Sequence, residues 1–414
     1  MFEQHPNLSA SISILTAVCL GALAGCVAGT NGAPSAANSN STAAAQIVES
    51  SEVNPADKSA DLNQVSAAHH ARVILPTVVC TNLGVPGIWQ RITPPVYNAN
   101  FWPAAFDVDE NTGIVYVGTG TFDTAHSKGV QRSVDCGETW QHVSKGSGSD
   151  AINGGGQWTF QVNQVDGRIL YTNSGYGQNG LWKSYDGGID WKEVTPKVDG
   201  APAFAGNLQM DPRNPDHLLL TWHDICYGKN KQFTYVDQVG CFHESKDGGR
   251  TWKGHYSADG KKWPAQVRVL LLHDSTWLVL ADNALYTSDG GKTYKVVSAA
   301  ALGGHSSGTL SRADNGAYFI GTQYGAYRSP PESDGQEWRA VGGQWVGDIA
   351  DTGSLLYETQ LASAPLRSSP SADGVKWQDV SAGPTNCEFE HFDVLHKVLY
   401  AGCGANGFWR LVVE

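Results

Sequence analysis

Short segments that alternate β-branched or aromatic residues with polar ones recur from about residue 84 to the C-terminus. Examples are GIVYVGT, RILYTNS and GAYFIGT, each followed after a few residues by a similar segment. Such alternation, bounded by Gly, Asp and Asn, is typical of short half-buried β-strands. High glycine (48) and tryptophan (14) with little methionine (2) favour an all-β protein over a helical one.

The strand pattern is interrupted by a repeated polar octapeptide. Its intact copies are SVDCGETW at 133–140, SYDGGIDW at 184–191, SKDGGRTW at 245–252 and TSDGGKTY at 287–294, with shorter versions at 329–338 and 369–377. An Asp carboxylate can accept backbone N–H groups across a tight turn, and glycine tolerates positive φ. Because Asp135, Asp186, Asp247 and Asp289 recur in every copy, we interpret them as turn residues rather than catalytic ones.

The octapeptide resembles the Asp-box, or BNR repeat, of sialidase-like β-propellers, over residues 84–414. The resemblance implies a propeller with the box between the third and fourth antiparallel strands of each four-stranded blade. Seven aromatic anchors predict seven blades: Trp89, Trp140, Trp191, Trp252, Tyr294, Trp338 and Trp377. The final GFWRLVVE lacks a fourth strand, so IWQRIT at 88–93 is expected to close the ring. Six blades with a stray strand is the alternative.

The N-terminal region has the composition of a targeting segment. An apolar run at 12–23 leads into LAGC at 23–26, which resembles a bacterial lipobox with Cys26 as the lipidated residue. We therefore expect a signal peptide at 1–25, a disordered Ala/Ser/Asn-rich tether at 26–75 and a propeller at 76–414. This organisation predicts an exported outer-membrane or cell-surface lipoprotein. Residues 1–11 lack Lys and Arg, so a plain secretory signal stays open.

Charge and cysteine usage exclude several classes of protein. The net charge of −12 and the absence of a basic stripe argue against nucleic-acid binding. No Cys/His spacing indicates a metal site, and we expect no cofactor and a monomer that contacts the membrane through its lipid anchor alone. Six cysteines beyond the leader suggest disulfides, with free buried thiols as the alternative. From the propeller topology we predict the pairs Cys80–Cys136, Cys226–Cys241 and Cys387–Cys403.

The resemblance also directs the search for a site. Ligand sites of propellers usually lie at an axial mouth, and we place this one on the face opposite the boxes. The predicted catalytic residues are His223, Asp224, Asp348, Glu390 and His391. The predicted substrate-binding residues are Trp102, Trp158, Asn207, Arg268, His305, Tyr324 and Trp345. Aromatic side chains interleaved with amides, carboxylates and imidazoles suit sugars, which stack on rings and bond through hydroxyls.

Two functions follow from such a mouth. The first is cleavage of polysaccharide, by a hydrolase with two carboxyls or by a lyase with a His base and Arg268 neutralising a uronate. The second is non-catalytic binding of a glycan or an envelope protein. Sialidase activity is not expected, since NANFWPAAFDVD before the first box lacks the arginine of sialidases. Xyloglucanase-like relatives use a cleft between two propellers, whereas this chain has the repeats for one.

Overall fold

The structure is a computed structural model with side chains. It describes residues 73–94, 105–119, 127–197, 205–222, 226–227, 238–258, 261–263, 267–273, 276–281, 284–298, 310–322, 324–343, 345–360, 364–370 and 374–414. The predicted signal peptide, Cys26 and the tether up to residue 72 lie outside the described residues, so the predicted domain boundaries stay predictions.

Seven sheets of four antiparallel strands form a β-propeller, which confirms the predicted fold class. Blade 1 contains β2 (Ala105–Val108), β3 (Val115–Gly118), β4 (Gln131–Ser133) and β5 (Gln141–His142). Blade 2 contains β6 (Phe160–Val162), β7 (Leu170–Asn173), β8 (Leu181–Ser184) and β9 (Lys192–Glu193). Blade 3 contains β10 (Ala205–Asp211), β11 (Asn214–Trp222), β14 (Phe242–Ser245) and β15 (Lys253–His255). Two small hairpins accompany blade 3: β12 (Cys226–Tyr227) with β13 (Gln238–Val239), and β16 (Ser257–Ala258) with β17 (Lys261–Lys262).

The remaining blades repeat this order. Blade 4 contains β18 (Val267–His273), β19 (Thr276–Ala281), β20 (Ala284–Asp289) and β21 (Tyr294–Ser298). Blade 5 contains β22 (Leu310–Arg312), β23 (Tyr318–Thr322), β24 (Gly325–Ser329) and β25 (Arg339–Ala340). Blade 6 contains β26 (Val346–Asp351), β27 (Leu355–Gln360), β28 (Arg367–Pro370) and β29 (Gln378–Asp379). Blade 7 contains β30 (Phe389–Asp393), β31 (Val398–Gly402), β32 (Phe408–Val412) and β1 (Gln90–Arg91). The helices among the described residues are short: α1 (Ser149–Asn153) and the 3-10 turns Pro331–Ser333 and Gly404–Asn406.

The ring closes as the sequence predicts. Strand β1 pairs antiparallel with β32, with Gln90 opposite Arg410 and Arg91 opposite Trp409. The backbone ladder continues beyond β1, where the Ile92 N–H donates to the Phe408 carbonyl at 2.8 Å. The N-terminal strand therefore supplies the fourth strand of blade 7 and removes an open sheet edge.

The repeated octapeptide folds into a turn held by a serine and an aspartate. In blade 2, Ser184 Oγ donates to Asp186 at 2.8 Å and accepts the Gly188 N–H at 2.9 Å. The same carboxylate accepts the N–H groups of Ile189 and Asp190, each at 3.0 Å. Equivalent bonds connect Ser133 with Asp135 and Ser245 with Asp247. These carboxylates are thus used within their own turns, as the sequence predicts.

The aromatic anchors pack against neighbouring blades. The indole N–H of three of them donates to a backbone carbonyl just after the fourth strand of the preceding blade. The pairs are Trp140–Ile92, Trp252–Val194 and Trp377–Val341, at 2.8, 2.9 and 2.9 Å. Apolar residues of adjacent sheets fill the space between blades, as where Phe408 stacks with Tyr400 and meets Phe106 edge-on. The core is therefore divided among the blade interfaces.

Two predicted disulfides are present. Cys80 bonds to Cys136 and fastens the segment before β1 to the first octapeptide turn, and Cys387 bonds to Cys403 within blade 7. Cys241 is also disulfide-bonded. The side chain of Cys226 lies outside the described part of the structure, so its pairing with Cys241 stays a prediction, although β12 brings Cys226 opposite Val239.

Candidate functional site: an acidic axial cavity

The first strands of six blades surround a cavity of about 570 Å³ on the propeller axis. Its walls come from β2, β6, β10, β22, β26 and β30. Turns between first and second strands contribute to its rim through Glu110, Gln164, Pro212, Asp314 and Val394. In an antiparallel blade, these turns lie on the same face as the octapeptide turns.

The cavity therefore reaches the face opposite the one predicted to carry the site. The loops of the other face lie in large part outside the described residues, among them 95–104, 198–204, 223–225 and 299–309. The predicted mouth on that face stays a prediction.

Several carboxylates of the inner strands bind the backbone of a neighbouring blade. The Asp107 carboxylate accepts the Val162 N–H at 2.7 Å, and that of Glu390 accepts the Ala350 N–H at 2.9 Å. Inner strands have one edge without a strand partner, and an unpaired buried N–H destabilises the fold. These acids therefore join adjacent blades around the axis, which limits their freedom to act on a ligand.

Glu390 and Asp348 form a close acidic pair in this wall. The Glu390 N–H donates to Asp348 at 3.4 Å, and Asp348 also accepts from Ser311 Oγ at 3.1 Å. Burial and the adjacent Asp348 charge raise the pKa of Glu390 well above its ordinary value. One Glu390 oxygen, Oε2, is buried without a hydrogen-bond partner. Glu390 therefore keeps its proton to higher pH than an ordinary glutamate.

An imidazole connects two carboxyls at the edge of the cavity. His391 Nδ1 lies 3.1 Å from Asp107 Oδ1, and His391 Nε2 lies 4.0 Å from Glu110 Oε1. Asp107 is nearly buried, whereas about 60% of the Glu110 side chain is exposed. The three side chains thus run from the buried wall to the accessible rim.

The protonation of this row follows from its surroundings. Burial lowers the pKa of His391, but the hydrogen bond and charge of Asp107 outweigh it, so the net shift of the His391 pKa is upward. Partial burial raises the pKa of Glu110, opposed by the His391 charge and reinforced by Asp107. Glu110 is thus an accessible carboxyl that retains its proton to higher pH than an ordinary glutamate.

The structure describes eight of the twelve predicted site residues. Five line the cavity: Trp158, Asn207, Asp348, Glu390 and His391. Three are described but are not among its lining: Arg268, Tyr324 and Trp345. The other four lie outside the described residues: Trp102, His223, Asp224 and His305.

Sequence reasoning missed Glu110, Asp107 and Asp314. Glu110 belongs to the turn DENTG between β2 and β3, an Asx turn at Asp109 of the kind that recurs at Asp211, Asp351 and Asp393 in other blades. The available signal was the acidic run DVDE at 107–110. It becomes informative only once β30 is known to pack beside β2 and bring His391 to Asp107.

Within the described part of the chain, no helix has the length and apolar character needed to cross a membrane.

No protein-family model matches the chain. It is 33% identical over 155 residues to a xyloglucanase of Paenibacillus sp., covering 33% of this chain and 14% of that enzyme. It is 30% identical over 194 residues to the xyloglucanase Xgh74A of Acetivibrio thermocellus, covering 43% and 21%. The chain thus spans less than a quarter of either relative.

Solved structures share the fold at low identity. YCF48 bound to D1 peptide superposes with a TM-score of 0.52 at 13% identity, covering 82% of this chain and 99% of that one. The extracellular domain of BT3049 from B. thetaiotaomicron gives a TM-score of 0.55 at 11% identity, covering 78% and 41%. The chain is therefore a seven-bladed β-propeller with partial sequence similarity to xyloglucanases.

Proposed function

We propose that this protein is a glycoside hydrolase that cleaves a polysaccharide at the axial cavity. The observation that carries the proposal is the Asp107–His391–Glu110 row, which ends in an accessible carboxyl with a raised pKa. Such a carboxyl is what protonation of a glycosidic oxygen requires. The partial similarity to xyloglucanases makes a β-linked glucan the first substrate to test.

In this mechanism Glu110 donates its proton to the departing glycosidic oxygen as the C–O bond breaks. His391, oriented by Asp107, then balances the charge that forms on Glu110. A second carboxyl must take a proton from the attacking water, and we assign this role to Asp314, an exposed rim residue. Blades 1 and 5 lie three positions apart in a ring of seven, so Glu110 and Asp314 are on opposite sides of the axis. We propose inverting hydrolysis, which requires the two carboxyls to stand about 6.5–9.5 Å apart with the attacking water between them.

The test is release of reducing ends from soluble xyloglucan and related β-glucans. Glu110→Gln and Asp314→Asn should each lower kcat by at least about 100-fold, with little change in stability. Glu332→Gln is the matched control, because Glu332 is an exposed glutamate in the 3-10 turn Pro331–Ser333, away from the cavity lining. Full turnover in both cavity variants would refute the assignment, and a retained anomeric configuration in the product would refute the inverting mechanism.

The second candidate is a propeller that binds a glycan or an envelope protein without cleaving it. It is favoured by the use of Asp107 and Glu390 as backbone acceptors, since groups fixed in this way serve architecture rather than catalysis. Calorimetric binding of a glycan, with no reducing ends released by the unaltered protein, would support this candidate. The same measurements with His223→Ala and Glu390→Gln test the residues predicted from the sequence.

Export and anchoring belong to the same proposal. We infer a signal peptide at 1–25, lipidation at Cys26 and a location at the outer membrane or cell surface. Globomycin treatment of expressing bacteria and mass spectrometry of the mature N-terminus test the lipidation. A Cys26→Ala variant that is still processed and released would indicate a plain secretory signal.

A further inference from the structure

Exposed aliphatic side chains concentrate on the face that the cavity reaches. Val165 is 72% exposed, Val394 is 70% exposed and Leu395 is 55% exposed. All three lie at the tips of tight turns, between β6 and β7 and between β30 and β31. Polar residues and glycine dominate such tips, because a side chain there is surrounded by water. Branched apolar residues at two nearby tips therefore require an explanation.

The two turns lie on either side of the polar turn of blade 1, DENTG at 109–113. The blade 1 turn contacts blade 2, where the Asn111 amide donates to the Gln164 carbonyl at 2.6 Å. On its other side, a Cβ added at Gly113 would meet the ring of His396, in the turn of blade 7. Val165 and Val394 thus flank the blade 1 turn on the same face.

The segment before β1 adds exposed apolar side chains to this face. The Val79 N–H donates to the Val134 carbonyl at 2.9 Å, beside the first octapeptide turn. Leu75 packs into the core between blades 1 and 2, close to Gly167 and Gly187. Ile74 and Val79 remain exposed on this face. The described chain therefore enters the propeller on the face that carries these apolar side chains.

We propose that an apolar strip, defined as Ile74, Val79, Val165, Val394 and Leu395, docks on a lipid bilayer surface and turns the cavity face towards it. The position of chain entry selects this partner. Cys26 precedes Val73 by 47 residues, a length that spans at most about 160 Å when fully extended. A lipid at Cys26 would keep the propeller within that distance of the bilayer, attached from this face, and exposed aliphatic side chains gain from burial among acyl chains.

The orientation of the cavity face towards the bilayer rests on the proposed lipidation. The affinity of the strip for a bilayer does not. Carboxylates of the same rim, Glu110 and Asp314, disfavour anionic lipids, so zwitterionic bilayers are the expected partner. The ligand of the cavity would then be a glycan presented at a membrane surface.

The test uses the full chain with Cys26→Ser, so that no lipid anchor contributes. We expect flotation with phosphatidylcholine vesicles and at least about tenfold weaker partition of a Val165→Ser, Val394→Ser, Leu395→Ser triple variant. Val296→Ser is the matched control, since Val296 is 49% exposed but lies on the fourth strand of blade 4. Loss of binding in the control, or equal binding of the triple variant, would overturn the proposal.

A second measurement detects membrane docking that is too weak to be seen by flotation. In proteoliposomes of the lipidated chain, an environment-sensitive probe at Val394→Cys should shift to the blue, while one at Val296→Cys should not. Unshifted probes at both sites, or a dimer in solution that the triple variant dissociates, would refute membrane docking. Hydrolysis of soluble glucan is scored separately, so failure of the docking proposal is distinguishable from failure of the proposed function.

Discussion

Replacing Asp186 by alanine is the sharpest test of the role of the octapeptide. The Asp186 side chain is buried, with 1% of the residue exposed. Its carboxylate accepts the Ser184 hydroxyl and two backbone N–H groups at 2.8 to 3.0 Å. A hydrogen bond to a charged acceptor contributes about 1.5–3 kcal/mol, and a buried donor left unpaired costs a similar amount. Since Ile189 and Asp190 are partly accessible to water, we expect about 3–5 kcal/mol of destabilisation in total.

The assay is urea unfolding followed by tryptophan fluorescence, with Asp289→Ala as the comparison. Asp289 occupies the same position in blade 4, but its carboxylate is exposed, where it accepts the N–H and the hydroxyl of Thr293. Its loss should therefore change the unfolding midpoint far less. Equal effects of the two substitutions would show that burial does not set the contribution of this turn. A loss of glucan hydrolysis in Asp186→Ala, with unchanged stability, would refute the structural interpretation altogether.

Three further predictions concern other parts of the molecule. Burial raises the pKa of Glu358 to about 7, so its protonated form stabilises the folded state; that stability should fall as pH rises from about 4.5 to 7, and Glu358→Gln should flatten the profile in urea titrations. The pKa of His391 is raised in the folded protein. Its contribution to the free energy of unfolding should therefore be complete below the pKa of an unfolded histidine and be lost as pH rises through the folded pKa. Asp107→Asn should lower the His391 pKa measured by NMR. Trp377→Phe removes the indole donor to the Val341 carbonyl and should cost about 1 kcal/mol in thermal unfolding.

The fold was accessible to sequence reasoning because its information is local and repeated. Each octapeptide specifies a turn through contacts within eight residues, as in Ser184–Trp191. The turn can therefore be recognised in the sequence without knowledge of distant contacts. Ring closure and the pair Cys80–Cys136 followed from that order of strands. The repeated turns and strands were therefore predictable, and so was the strand that completes blade 7.

The site was less accessible because it depends on differences between blades. Five predicted residues do line the cavity, since they lie on or next to first strands that face the axis. A strand pattern does not reveal that the axial cavity also reaches the rim formed by the short turns between first and second strands. Nor does it reveal which acids cap a neighbouring backbone, as Asp107 and Glu390 do, and which stay accessible, as Glu110 does.

The difference between acids that accept a backbone N–H and acids that stay accessible explains why carboxylates are abundant on the axis without all being catalytic. Seven inner strands converge with one unpaired edge each, and an acid on one blade can satisfy the N–H of the next. Asp107 combines that role with a second, because its Oδ2 binds the Val162 N–H while its Oδ1 faces His391. Asp107→Asn should therefore weaken both the joint between blades 1 and 2 and the orientation of His391. If hydrolysis fell while the unfolding midpoint stayed constant, the backbone joint would carry little of the stability, and the positioning of His391 would be the principal role of Asp107.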